Sequence, residues 1–520
     1  MTDSDVPPAV ARWERVAIAV VTATFGLWLV AWALLVPVFQ APDETAHIDA
    51  TVHIALGDPW VAPGDLRVDR AVNAAAVQQA TLPSDQWSSV TELLRDYPGP
   101  STTVNQMTQH PPTAYAVGAA VLRVVHYGDL RWDHAFLALR LTDVAFVTAL
   151  PLVAWAAVRR VTRSPGAALV GALAVFASPE LASIGSSVSN DAPVLLLAGV
   201  TVLLATRLLT GDLRWRTAIG LAVALGALVW IKGTGLPAVP FVAVVALSSG
   251  AGVLRWGARV LRTVVVLAVA GAIGAWWWLH NLLAYGQVQP NGYAAIRPPK
   301  DFPPGEHPTV GHFLDVSWGT ITRTFWGSFG RGAQVTIGDL FSAVVTIVVL
   351  AVVVGWAYRR GPQLRTAVCL SVFPLLLILV QNQTSIRAYL TKAEVAGTQG
   401  RYYFPAIVCL IVLSAIAWRR LVPAGRPRAV AASVLAVLLP AVGVYGFAVA
   451  ASWFWNAAGF PVTGRGLLRY SEVGPVPPAV LAVVVLLAGA GMVVSVVQVL
   501  RSGSVHRALA DAPTGARRSA

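Results

Sequence analysis

Residues 16–49, with the sequence VAIAVVTATFGLWLVAWALLVPVFQAPDETAHID, join a long apolar run to a short cluster of acidic residues. Residues 16–39 are almost entirely apolar, and a helix of that length crosses the hydrocarbon core of a bilayer, which is about 30 Å thick. Pro42 then stands at a first helical position ahead of Asp43 and Glu44. This order predicts a second helix whose positive end carries two carboxylates.

Apolar runs of this kind recur along the whole chain. Of its 520 residues, 56% are hydrophobic and only 12% are charged, about half the charged share of a soluble domain. Twelve runs predict membrane spans, at 16–39, 135–157, 166–183, 192–210, 216–231, 234–250, 262–284, 338–357, 366–383, 402–418, 429–450 and 478–500. The fold class is therefore an all-α polytopic membrane protein, with residues 1–500 as one transmembrane domain. A water-soluble enzyme and a disulfide-stapled module are excluded.

The distribution of charge predicts the orientation of the chain. With a cytoplasmic N-terminus, 22 of the 38 Lys and Arg residues but only five of the 25 Asp and Glu residues fall in inner segments, as the positive-inside rule requires. Counting 111–126 as a thirteenth span would place the basic cluster 159–163 outside. We therefore expect an interfacial helix there, and both termini in the cytoplasm.

This topology leaves two large outer loops, 40–134 and 285–337, and a basic tail, 501–520, for which we expect disorder. The multi-pass chain belongs in the plasma membrane. Its net charge of +13 is spread between apolar runs, so nucleic acid is excluded as a partner, whereas membrane lipids are expected ones.

Acidic side chains at the outer ends of spans are the first candidates for chemistry. An ionised carboxylate such as Asp43 suits a general base for a hydroxyl acceptor, and His47 lies on the same helical face. Helix capping in an acidic loop is the alternative. Asp191 follows Asn190 in a short outer turn, where the two side chains can cap the next helix. Asp191 can also serve as a second active-site carboxylate, and the two roles are not exclusive because a capped turn is rigid.

Basic and aromatic side chains at the same end are candidates for binding a phosphate. Lys232 precedes a glycine-rich turn, Arg401 and Tyr402 begin the tenth span, and His110 precedes two prolines. Snorkelling of the long side chains to the interface is the alternative. A zinc-binding sequence pattern such as HExxH does not occur, so we expect no metal and no other cofactor.

These motifs together resemble a known family. The order PDE with His47 (42–47), HPP (110–112), ND (190–191), KG (232–233), WGSFG (326–330) and QGRYYFP (399–405) resembles the bacterial membrane family called domain of unknown function 2142. That family is similar to the GT-C superfamily, whose members transfer sugars from polyprenyl-phosphate carriers and include protein mannosyltransferases and lipid A aminoarabinose transferases. In the lipid A enzymes a basic residue stands where this chain has His110.

The resemblance implies a GT-C-like fold and an inverting glycosyltransferase. Asp43 is then the general base, with Glu44 adjacent and Asp191 as a second acidic residue. Lys232, Arg401 or His110 hold the leaving phosphate, and His47 and Tyr402 complete the substrate site. The donor is a polyprenyl-phosphate sugar, and the acceptor is an envelope glycan, lipid or protein. A transporter or flippase of lipid-linked glycans and a non-catalytic cell-envelope scaffold are the alternatives.

Overall fold

The computed structural model describes residues 10–290, 301–391, 393, 395, 397–456 and 463–511. Within these residues, nine helices are long and apolar enough to cross a membrane: Arg12–Leu35, Trp132–Thr162, Asp191–Leu209, Trp256–Gly274, Asp339–Ala357, Leu364–Leu390, Gly400–Leu421, Arg426–Trp455 and Pro478–Arg501. Three shorter apolar helices cover the remaining predicted runs, at Pro165–Ala177, Trp215–Val229 and Gly233–Ser248. The prediction of an all-α polytopic membrane protein is confirmed.

The described elements are 21 α-helices and two small antiparallel sheets. The helices are α1 (Arg12–Leu35), α2 (Glu44–Leu56), α3 (Arg70–Thr81), α4 (Val90–Asp96), α5 (Thr113–Val124), α6 (Trp132–Val147), α7 (Leu150–Thr162), α8 (Pro165–Leu173), α9 (Pro179–Ile184), α10 (Asp191–Leu209), α11 (Trp215–Val229), α12 (Ala238–Ser248), α13 (Trp256–Gly274), α14 (Trp276–Tyr285), α15 (Val310–Trp326), α16 (Asp339–Val352), α17 (Leu364–Thr391), α18 (Ile407–Leu421), α19 (Arg426–Ala451), α20 (Gly464–Val473) and α21 (Pro478–Asp511). The strands are β1 (Arg67–Asp69), paired with β2 (Pro100–Val104), and β3 (Ser328–Phe329), paired with β4 (Val335–Thr336).

The first helix packs one face into the interior of the bundle. Val21, Phe25, Leu29 and Trp32 of α1 are completely buried, and the Phe25 ring packs edge-on against Phe176 with 5.0 Å between ring centroids. Burial of such side chains is worth roughly 1.5–3 kcal/mol each. The packing of this buried face fixes the end of α1, and the acidic cluster that follows it emerges at one end of the bundle.

Ion pairs at the two ends of the bundle join segments that the predicted topology places on the same side of the membrane. Arg159 Nε lies 2.7 Å from Glu14 Oε1, which joins two predicted inner segments. At the opposite end, Arg401 Nη2 lies 2.6 Å from Asp43 Oδ2, which joins two predicted outer segments. These two contacts agree with the predicted grouping of the four segments that they join. Which end faces the cell exterior stays a prediction, and so does the cytoplasmic position of the termini.

Residues 40–134 form a cap on the end of the bundle that carries Asp43. In this cap α2 packs against α5, and a buried apolar cluster that includes Val52, Leu122 and Trp132 joins the cap to α6. The predicted helix over 111–126 is present as α5. Its location at a membrane interface stays a prediction.

Two local predictions at helix starts are wrong. Helix α2 begins at Glu44, and Asp43 is its N-cap residue in a left-handed conformation, with φ of 59° and no side-chain capping bond. Neither capping interaction predicted before α10 occurs, because Asn190 donates its Nδ2 to Tyr115 Oη instead and Asp191 binds a lysine. In both cases the polar side chains point into the cap and do not form hydrogen bonds to the helix ends.

The C-terminal tail differs from the expectation over its first part. Helix α21 continues to Asp511, and the stretch from Arg501 to Asp511 contains no proline that would end it earlier. The rest of the tail, 512–520, lies outside the described residues, so the disorder expected there stays a prediction.

Candidate active site

The turn between α1 and α2 is held by a buried ion pair. Glu44 receives two hydrogen bonds from Arg140, both at 2.7 Å, and a third from the backbone N–H of Phe39 at 2.8 Å. Arg140 also donates to the carbonyl oxygens of Ala33 and Pro37, at 2.8 and 3.1 Å. These carbonyls end α1, so the guanidinium caps α1 and fastens the start of α2 to it. Glu44 is completely buried, and its oxygens are occupied by this structural pair.

Asp43 points the other way, into a polar cluster at the end of the bundle. Its Oδ2 accepts a hydrogen bond from Arg401 Nη2 at 2.6 Å, and its Oδ1 lies 3.4 Å from Gln106 Nε2. Partial burial acts to raise the pKa of Asp43, but the neighbouring Arg401 and Lys232 charges outweigh it and hold the pKa below its usual value. The carboxylate is therefore ionised at neutral pH, and its side chain is 39% exposed, so it can be reached by a ligand.

Arg401 is positioned by a close backbone contact. The preceding residue, Gly400, lies so near α15 that an added Cβ would be 2.2 Å from the Phe325 backbone nitrogen, and its N–H donates to Thr324 Oγ1 at 2.6 Å. The guanidinium carbon lies 5.4 Å from the centroid of the Tyr402 ring. Arg401 is 5% exposed, and its Nε has no hydrogen-bond partner among the described residues. One buried donor of Arg401 thus remains for a ligand.

A second ion pair belongs to the same cluster. Lys232 Nζ lies 2.7 Å from Asp191 Oδ1, which joins the start of α10 to the turn between α11 and α12. Asp191 Oδ2 and Thr234 Oγ1 are buried and lack a partner within the part of the chain that the structure describes. Unpaired buried polar atoms cost free energy, so these two atoms are available to hydrogen-bond a polar ligand.

Two histidines and a tyrosine lie between the ion pairs. His47 Nδ1 is 3.1 Å from Tyr115 Oη, which also accepts a hydrogen bond from Asn190 Nδ2 at 3.1 Å. The tyrosine hydroxyl is therefore free to donate to His47 Nδ1, which favours the tautomer with a proton on Nε2. Burial and the Lys232 charge lower the pKa of His47 to about 3. His47 is thus neutral at physiological pH.

His110 has a similar environment. Burial, reinforced by the positive charge of Lys232, holds the pKa of His110 well below its usual value. Its Nδ1 is buried, and no described residue donates to it or accepts from it. Both Asp43 and Asp191 act electrostatically on His110 and on His47, so the histidines, carboxylates and cations form one electrostatic unit.

The structure brings most of the predicted site residues together. Six lie in the cluster: Asp43, His47, His110, Asp191, Lys232 and Arg401. Tyr402 is next to it, stacked on Arg401, whereas Glu44 lies apart in the pair with Arg140. Sequence reasoning missed Tyr115 and Thr324. Tyr115 could have been found because it is a polar side chain within the apolar run after His110. Thr324 could not, because its role depends on its contact with Gly400 in the folded chain.

The chemistry of the cluster does not favour a bound metal. Each of its two carboxylates is paired with a cation, and the described residues contain no group of three or more His, Cys, Asp or Glu side chains that could hold a metal ion. That the site works without a metal stays a prediction.

Comparisons with known proteins give one family and several solved structures. The family model described as "Predicted membrane protein (DUF2142)" matches residues 25–410, and no curated protein matches the sequence. ArnT from Cupriavidus metallidurans bound to undecaprenyl phosphate is similar at 16% identity and a TM-score of 0.48, covering 96% of this chain and 79% of that one. The apo form of that protein is similar at 16% identity and a TM-score of 0.46, covering 94% of this chain and 74% of that one.

An archaeal structure is also similar. The oligosaccharyltransferase AglB from Archaeoglobus fulgidus, in complex with an inhibitory peptide and a dolichol-phosphate, gives 13% identity and a TM-score of 0.33, covering 88% of this chain and 56% of that one. Similarity at these levels assigns neither an activity nor a substrate to the present chain.

Proposed function

From the premise that this chain belongs to the DUF2142 family of membrane proteins, we propose that it is an integral-membrane glycosyltransferase. It moves a sugar from a polyprenyl-phosphate carrier to an acceptor hydroxyl, with inversion at the anomeric carbon. Its site is the polar cluster around Asp43, on the outer face of the plasma membrane. Nucleotide sugars are cytosolic, so an outer site requires a lipid-linked donor.

One observation carries this proposal: an ionised, partly exposed carboxylate shares a hydrogen bond with a buried arginine that has a further donor unpaired. Asp43 is the base, and Arg401 with its free Nε is the phosphate ligand. A guanidinium is suited to phosphate because its planar fork can bind two oxygens. The Lys232 ammonium adds a second cation to the same cluster.

In the reaction, the acceptor oxygen attacks the anomeric carbon while Asp43 removes the hydroxyl proton. The bond between that carbon and the phosphate oxygen breaks, and its electron pair leaves with polyprenyl phosphate. The added negative charge is neutralised by Arg401 and Lys232. No other reactant is needed.

The ion pair between Asp43 and Arg401 links the two halves of this reaction. A carboxylate held at a low pKa by an arginine is a weak base. When Arg401 turns from Asp43 to the leaving phosphate, the carboxylate loses its counter-charge and its affinity for a proton rises. Phosphate departure and proton removal thus assist each other.

The test is sugar transfer by the purified protein in phospholipid vesicles. A panel of undecaprenyl-phosphate-linked hexoses and pentoses is supplied with membrane lipid extract as acceptor, and the release of undecaprenyl phosphate is followed. General-base assistance is worth about 10²–10⁴-fold in rate, so Asp43→Asn lowers turnover by that factor. Exposed Asp85 provides the control, and Asp85→Asn retains wild-type turnover.

Three results would contradict the proposal. Wild-type turnover in Asp43→Asn would show that Asp43 is not the general base. Movement of labelled lipid-linked sugar across the vesicle membrane without a new glycosidic bond supports the transporter alternative. Failure of the wild-type protein to release undecaprenyl phosphate from every donor supports the scaffold.

A further inference from the structure

A cavity of about 180 Å³ lies between the cap and the membrane helices, bounded by α2, α5, α6 and α10. This is far above the roughly 10–15 Å³ that one water molecule occupies. Its walls are mainly apolar, with side chains that include Ala114, Val117, Leu139, Phe146, Leu196 and Leu197. Val117 is 41% exposed, and Phe146, Leu196 and Leu197 are half-buried. The cavity therefore reaches the side of the helix bundle, which faces lipid, and can admit an apolar chain from the membrane.

The inner end of the cavity opens onto the polar cluster. His47, Tyr115 and Asn190 line the cavity, and the same three side chains are joined by hydrogen bonds within the cluster. His47 is one helical turn from Asp43. A molecule that fills the cavity with its apolar part thus brings its polar end next to the proposed base.

Two oxygen atoms in the cavity wall have a free hydrogen-bonding position among the described residues. Asp143 accepts one hydrogen bond, from the Ser189 backbone N–H to Oδ2 at 2.8 Å, and no donor from a described residue reaches Oδ1. Asn190 Oδ1 is also buried without a described partner. A hydroxyl group can bond to both oxygens, because it can donate as well as accept, and it brings no charge.

The charges also argue against a phosphate in this cavity. None of the described residues that line it is a lysine or an arginine, whereas Asp143 supplies a carboxyl group. A phosphate in an apolar cavity with no lysine or arginine in the wall has no counter-charge to offset the loss of its hydration, which is strongly unfavourable.

We infer that this cavity is the acceptor site, and that the acceptor is a membrane lipid with a neutral, hydroxyl-bearing head group. This inference rests on the proposed function. It follows because an in-line displacement places the nucleophile and the leaving group on opposite sides of the anomeric carbon. The cations take the leaving phosphate on one side, and the cavity delivers the hydroxyl on the other. The lipid enters sideways from the bilayer.

Photo-crosslinking tests this inference without requiring sugar transfer. The full chain in vesicles is irradiated with a photoactivatable diacylglycerol, or with a phosphatidic acid of the same acyl chains, and the labelled peptides are identified by mass spectrometry. We expect diacylglycerol to label α5 and the first half of α10. Leu197→Trp fills the cavity and lowers that labelling by about tenfold. Leu141→Trp, on an exposed part of α6 outside the cavity lining, leaves it unchanged.

The carboxyl group provides a second comparison. Asp143→Leu removes the carboxyl group that the head-group hydroxyl would bind, and the preference for diacylglycerol over phosphatidic acid is then reduced. Equal or stronger labelling by phosphatidic acid in the wild type would assign the cavity to an anionic lipid and overturn the inference. Absence of labelling at α5 and α10 would overturn it as well. If Asp43→Asn retains full transferase activity while diacylglycerol labelling is as expected, the proposed catalytic role fails and the lipid site stands.

Discussion

Arg401 Nη2 and Asp43 Oδ2 are 2.6 Å apart, although the two residues are separated by 358 positions in the chain. Asp43 stands at the start of α2, and Arg401 stands in the 3-10 turn that leads into α18. The pair therefore connects the first membrane helix and its cap to the C-terminal part of the bundle. It also fixes the ionisation state of the carboxylate that we propose as the base.

Replacing Arg401 should change the pH dependence of the reaction. In the wild type the arginine keeps the pKa of Asp43 below its usual value, so Asp43 stays ionised into acidic solution. In Arg401→Gln the pKa rises, Asp43 becomes protonated at a higher pH, and the acidic limb of kcat/KM moves upward. The measurement is a pH–rate profile, with exposed Arg331 replaced in Arg331→Gln as control. An unchanged acidic limb in Arg401→Gln would show that this limb does not report Asp43.

Replacing Glu44 should affect stability more than chemistry. Glu44→Gln leaves the buried Arg140 without a counter-charge, and breaking a buried ion pair in this way costs about 3–5 kcal/mol. Asp43→Asn breaks a pair whose carboxylate is 39% exposed, and should cost less than Glu44→Gln, whose carboxylate is completely buried. Denaturant unfolding in detergent micelles compares the two variants. Normal stability with lost activity in Glu44→Gln would instead make Glu44 a catalytic residue.

The contact between Gly400 and α15 should control how Arg401 is presented. Gly400→Ala forces the turn away from the Phe325 backbone, since the added Cβ would lie 2.2 Å from its nitrogen. Thr324→Val removes the hydroxyl that accepts the Gly400 N–H but keeps the side-chain size. We expect both variants to move the acidic limb of kcat/KM to higher pH, as Arg401→Gln does. Thr324→Ser keeps the hydroxyl group, so its acidic limb should stay in the wild-type position. A fall in activity with the acidic limb in its wild-type position would point to a general loss of structure.

The activity should not depend on a divalent metal. Both carboxylates of the cluster are already paired with cations, and a single leaving phosphate needs less neutralisation than a pyrophosphate. Turnover in the presence of EDTA should equal that in its absence. Loss of turnover with EDTA and its recovery on addition of Mg²⁺ or Mn²⁺ would contradict this expectation.

The orientation of the chain can be tested by cysteine labelling, because both native cysteines are buried. Gln86→Cys lies in the cap and should react with a membrane-impermeant maleimide in intact cells. Ala424→Cys lies in a predicted inner turn and should react only after permeabilisation. The reverse pattern would place the proposed site in the cytoplasm.

The architecture was largely predictable from the sequence, because each apolar run must become a helix to satisfy its backbone in a membrane. The residues of the cluster were predictable as candidates, since polar side chains at one end of several spans are few. The hydrogen-bond and ion-pair partners of polar residues around the site were not predictable. Arg140 reaches Glu44 across 96 positions, and only the folded backbone brings them together. The same is true of Asn190, whose bond to Tyr115 replaces the predicted helix cap.

The most direct test of the central claim is an experimental structure of the protein in a lipid nanodisc with undecaprenyl phosphate bound. The account predicts the phosphate within hydrogen-bond distance of Arg401 and Lys232, roughly 2.7–3.2 Å, with Arg401 separated from Asp43. A phosphate bound elsewhere, or an intact Arg401–Asp43 bond with the phosphate in the cavity beside Asp143, would contradict it.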